Sequence, residues 1–118
     1  MNPTKVFLLA IAIALPGCGK PTSIGSPELE AASRQLVPQD SDIAAIYNRS
    51  CRSCHTVAAT SAPLTGDAIA WAPRMEKGMD ALVASVRNGL GAMPPGGLCN
   101  SCSDEDYAAL ITYMSTAQ

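Results

Sequence analysis

Residues 51–55 are Cys51-Arg52-Ser53-Cys54-His55. Two thiols one helical turn apart, followed at once by an imidazole, form the attachment pattern of a c-type haem. The thiols reach the two vinyl groups of the macrocycle as thioethers, and the next residue sets an imidazole under the iron. The chain has five cysteines and one histidine, and that histidine is the one the pattern requires. So few histidines argue against a zinc hydrolase or a His-based catalytic triad. Two other readings of the thiols are weaker. Cys51/Cys54 and Cys99/Cys102 could share a zinc ion, but the pairs stand much farther apart than the about 15–20 residues of a zinc ribbon. A thioredoxin-like dithiol needs a βαβ surround, and no segment here alternates as a strand does.

A second axial ligand decides between electron transfer and chemistry at iron. With no second histidine, the candidates past the leader are Met75, Met79, Met93 and Met114. Met114 falls on a helical apolar stripe and suits a core; Met75 and Met79 flank a helix start and suit packing or surface. Met93 stands in Gly89-Leu90-Gly91-Ala92-Met93-Pro94-Pro95-Gly96-Gly97. Pro94 pushes Met93 out of the α region, and the glycines let backbone pass close to a flat ligand. His55 and Met93 are therefore the expected axial pair. A His/Met couple fills both axial sites and raises the reduction potential, favouring electron transfer over oxygen chemistry.

The elements that must position these residues are helical. Ile43, Ile46, Tyr47 and Ser50 share one face, which predicts a helix from Asp42 to about Cys54. Leu82, Val83 and Val86 predict a second over Met79 to Asn88, stopped by Gly89. Ser103 caps a third, with Asp104, Glu105 and Asp106 in its first turn and Tyr107, Leu110, Ile111 and Met114 as its stripe. Long Pro/Gly/Ala/Thr loops connect them. The fold class is all-α, with about four or five short helices around one covalently bound haem. Such a domain has few aromatics for a core, so a flat apolar macrocycle would supply the missing interior.

At 118 residues the chain allows one small domain, and 15% charged residues with a net charge of −2 exclude a polybasic nucleic-acid binder. Met1 to Lys5 is a basic head and Val6–Leu15 an apolar run of signal-peptide length, too short to span a bilayer. The run ends in Leu15-Pro16-Gly17-Cys18, similar to a bacterial lipobox. The expectation is a lipoprotein signal over 1–17 and a lipidated Cys18, which also accounts for the odd cysteine. The bland alternative is cleavage after Ala12-Ile13-Ala14. Gly19 in place of Asp favours the outer membrane, and export puts the remaining cysteines in an oxidising periplasm. Residues 18–40 are expected as the lipidated cysteine and a flexible tether, in which Ser26 and Pro27 could open a short helix to about Leu36. Residues 41–118 form the expected domain.

From about residue 43 to 117 the chain resembles the class I cytochromes c, most closely the bacterial cytochrome c5 group. The resemblance rests on Tyr47-Asn48-Arg49-Ser50 before the Cys-x-x-Cys-His pattern, Ala62-Pro63-Leu64-Thr65-Gly66-Asp67, and Trp71-Ala72-Pro73-Arg74. It continues through Lys77 to Leu82, Asn88-Gly89-Leu90, Ala92-Met93-Pro94-Pro95, and the Cys99/Cys102 pair just before Ser103. It implies a fold in which the first and last helices cross, and a Pro63 carbonyl bonded to the distal nitrogen of His55. It implies Trp71 and Arg74 near the haem propionates; otherwise Trp71 is core and Arg74 a surface charge. It implies a Cys99–Cys102 disulfide, with a redox-active dithiol as the rival. The function expected is an exported monohaem carrier of single electrons between respiratory redox proteins, without nucleic-acid or small-molecule substrates. The alternative is a haem enzyme or gas sensor, which needs a labile sixth ligand.

Overall fold

A computed structural model of the chain describes residues 25–118. The expected signal over 1–17 and the lipidation site Cys18 lie outside the described residues. Helix α1 (Pro27–Ser33) starts where the sequence predicts, with Ser26 Oγ accepting the Leu29 N–H and Pro27 in the first turn. Helix α2 (Ser41–Ile46) is capped by Asp40, whose Oδ1 accepts the Asp42 and Ile43 N–H groups. A π-helical turn (Tyr47–Cys51) follows directly and leads into α3 (Arg52–His55). The uniform helix expected from Asp42 to Cys54 is thus interrupted: a wider turn carries Tyr47 to Cys51 before α3 presents Cys54 and His55.

Helix α4 (Ala68–Met75) was not legible as a periodic segment, because it is short and holds Pro73. Asp67 caps it by accepting the Ala70 N–H. Helix α5 (Met79–Asn88) has the expected bounds and ends at Gly89, whose φ is 82°. Helix α6 (Asp104–Thr116) opens with a reciprocal capping box between Ser103 and Asp106. Its predicted stripe, Tyr107, Leu110, Ile111 and Met114, is its buried face. That face joins Tyr47, Trp71, Leu82 and Val83 in one core. Tyr47 of the π turn meets Tyr113 of α6 edge-on, with ring centroids 5.2 Å apart.

The flexible tether expected over 18–40 requires correction within its described part. Ser33 is fully enclosed and Pro38 is buried, and α1 bonds to the body of the domain. The packed unit therefore begins at about Ser26 rather than at residue 41. Polar side chains at fixed places on α1 hold it there, and apolar periodicity cannot reveal such contacts.

Candidate functional site

The π turn and α3 set Cys51, Cys54 and His55 along the wall of a cavity of about 360 Å³, lined mostly by apolar groups. His55 is buried at the end of α3, and its ring Nδ1–H donates to the Pro63 carbonyl at 2.8 Å. That bond leaves Nε2 as the nitrogen available to a metal. Burial holds the imidazole below its ordinary pKa, Arg74 acts in the same direction, and the Pro63 acceptor opposes them. A neutral ring with a free Nε2 lone pair is the form that ligates. Trp71 lies nearly parallel to it, 24° between planes and 6.1 Å between centroids.

The two thiols differ. Cys54 is exposed at the cavity edge, whereas Cys51 is half-buried. Burial, and then the neighbouring Cys54, push the Cys51 thiol up to about 11. The thioredoxin-like alternative lacks its surround instead: the described elements are all helical, with no βαβ unit about the thiols. The zinc alternative loses its geometry: no group of three or more His, Cys, Asp or Glu side chains gathers among the described residues. Cys99 and Cys102 are bonded to each other instead.

Met93 and Met114 both line the cavity, whereas Met75 and Met79 pack against the core cluster from outside. Met114 is itself a buried core member on α6. Met93 sits at the end of a tight turn in which Leu90 and Met93 exchange both backbone hydrogen bonds at 3.0 Å. Gly91, at the first central position with φ 60°, supplies the conformation such a turn requires. Gly89 is needed for a different reason: a Cβ there would stand 2.9 Å from the Met93 carbonyl oxygen. The local backbone thus fixes the Met93 turn at the cavity.

Trp71 is 5% exposed and donates its indole N–H to the Leu64 carbonyl at 2.9 Å. It forms part of the cavity wall. Arg74 also lines the cavity, bonded through Nη1 to the Ala70 carbonyl. The ion pairs among the described residues are Arg34–Glu30 and Arg87–Asp104, so the Arg74 charge faces no carboxylate there. Leu90 and Leu98 line the cavity while remaining 62% and 60% exposed, forming an apolar rim. Two thiols, an imidazole with a free nitrogen, a thioether, one guanidinium and an apolar enclosure fit a covalently held haem c.

Ser33 donates its hydroxyl to the His55 carbonyl at 3.1 Å, a contact that sequence spacing could not reveal. Tyr47 and Thr65, whose hydroxyls pair at 2.9 Å behind the site, are the same kind of omission.

A family model described as cytochrome C oxidase, cbb3-type, subunit III matches residues 38–114. Cytochrome c5 of Azotobacter vinelandii is 42% identical over 76 residues, 63% of this chain and 88% of that protein. A mono-haem ferrocytochrome c from Shewanella putrefaciens is 48% identical, with a TM-score of 0.58 over 70% of this chain and 100% of its own. A chain of the electron transfer complex of nitrite reductase with cytochrome c is 37% identical, with a TM-score of 0.57 over 66% of this chain and 95% of its own.

Proposed function

The chain belongs to the class I c-type cytochromes, all-α carriers of one covalently bound haem c, and from that premise we propose that His55 and Met93 ligate its iron for outer-sphere electron transfer. Bound haem supplies the one-electron ferric/ferrous couple. Cys51 and Cys54 tether it. His55 presents Nε2 with its tautomer fixed by Pro63, Met93 offers its sulfur from a braced turn, and Arg74 offsets propionate charge. The observation that carries the reading is the convergence of Cys51, Cys54, His55 and Met93 on one apolar cavity. Donor and acceptor are respiratory redox proteins; the nitrite reductase complex of a related cytochrome supports a protein partner of this class.

The test is spectroscopic. The oxidised protein is expected to show the weak far-red charge-transfer band of sulfur-ligated haem. Met93→Ala should abolish the band, lower the reduction potential and open the iron to carbon monoxide. If Met93→Ala keeps the band and Met114→Ala, Met75→Ala or Met79→Ala loses it, the assignment is wrong.

The carrier is further proposed to act in the periplasm, held by lipid on Cys18, on the strength of the Leu15-Pro16-Gly17-Cys18 pattern. Mass spectrometry of the mature protein should find a diacylated N-terminal cysteine; an unmodified N-terminus beginning at Leu15 would make it a soluble shuttle.

A further inference from the structure

The residue proposed as proximal ligand is held at its ring by Pro63 and at its backbone by a helix that lies before the family match. That match begins at residue 38, and α1 ends at Ser33. Ser33 is 0% exposed, and its Oγ–H donates to the His55 carbonyl at 3.1 Å. The same carbonyl accepts the Thr65 N–H at 2.8 Å, so both of its lone pairs are engaged. One turn earlier on α1, Glu30 Oε2 accepts the Ala58 N–H at 2.8 Å. Just beyond α1, the Arg34 carbonyl accepts from Arg52 Nη2 at 2.6 Å. These bonds land on α3 and on residues 56–65, the loop that carries the Pro63 acceptor. A seven-residue helix is marginal alone, and these contacts set its position.

We propose that α1 is a strap for the proximal ligand and that Ser33 is a positioning residue, fixing the His55 backbone and through it the Nδ1–H···O=C bond to Pro63. The proposal rests on the reading of His55 as an iron ligand. A carbonyl fixed by two donors cannot swing, so the His55 Cα and the plane of its ring hold their place. A short Nδ1–H bond to the Pro63 carbonyl makes Nε2 more basic, and a more basic ligand favours ferric iron. Loss of the Ser33 bond lets His55 drift from Pro63, which raises the potential and loosens the ring.

The experiment uses the haem-loaded full chain and reads the midpoint potential together with the paramagnetically shifted proton spectrum of the ferric form. Ser33→Ala is expected to shift the potential upward and to redistribute the haem-methyl shifts, which report axial-ligand orientation, while the far-red sulfur band stays. Ser26→Ala weakens the cap of the same helix without touching His55, and should lower the melting temperature while leaving the potential at the wild-type value. Equal shifts in the two variants, or none in Ser33→Ala, overturn the role of Ser33. Should Ser33→Ala fail to take up haem, Ser33→Thr must load and keep the wild-type potential, and its failure also overturns the proposal. The ligand reading has a separate check in the wild type: if the His55 ring protons lack large paramagnetic shifts, that reading fails and the strap falls with it.

Discussion

Tyr113 places a hydroxyl out of solvent with no hydrogen-bond partner, whereas its neighbour Tyr47 reaches Thr65. Burial, and then the proximity of Tyr47, push the Tyr113 phenol up to about 12, against a weaker pull from Arg52. The folded pKa lies above the unfolded value of about 10, so this term is fully present below pH 10. Above it the unfolded chain releases a proton that the folded chain keeps, and stability declines until about pH 12. Tyr113→Phe removes the orphan hydroxyl. It is expected to leave stability at pH 7 unchanged or raised by about 1 kcal/mol, and to reduce the loss of melting temperature between pH 10 and about 12. A variant as alkali-sensitive as the wild type would show that the phenol is not the titrating group. At this scale the sequence exposes what is contiguous. Cys51, Cys54 and His55 are adjacent, and Met93 is marked by the glycines and prolines around it. Ser33 and Thr65 act across distances that leave no trace in spacing.

The segment from Pro94 to Ser103 connects the Met93 turn to α6, and the Cys99–Cys102 bond closes its far end. Tyr107 adds to that closure by donating its hydroxyl to the Cys99 carbonyl at 2.7 Å. Closing so short a loop removes about 2 kcal/mol of unfolded-chain entropy. The Cys99→Ser/Cys102→Ser double variant should therefore lose about 2 kcal/mol in denaturant unfolding. It should also bind carbon monoxide more readily as Met93 dissociates, and yet remain reducible. Counting thiols across the haem redox cycle separates a brace from a redox couple, since thiols appearing with reduction would mark the latter. Helices were legible where caps and stripes agreed, as in α5 and α6. Helix α4 was hidden because Pro73 interrupts its pattern and only Ala70 and Trp71 are buried on it. The π turn has no local signature, since it reconciles a buried Tyr47 with thiols that must face the cavity. For α1 the cap was visible and the docking was not.

The core and the cavity are largely the same residues: Trp71, Leu82, Tyr107, Leu110, Ile111 and Met114 belong to both. Emptying the site leaves those side chains facing a void rather than each other. The cavity opens at its rim, so water wets the emptied walls and the apolar contact a macrocycle would supply is lost. A small domain has only about 5–15 kcal/mol of stability to absorb that loss. The haem-free Cys51→Ser/Cys54→Ser chain should therefore lose its cooperative thermal transition in far-ultraviolet circular dichroism, and a sharp melt would contradict this account. The rim of the cavity has a consequence for kinetics. Neither the stretch 57–66 nor 88–103, which carries Leu90 and Leu98, holds a charged residue. Local charge gives a collision there little guidance, so arrival near unsteered diffusion, about 10⁵–10⁶ M⁻¹s⁻¹, is expected. Electron exchange through this face should then change little between dilute buffer and brine.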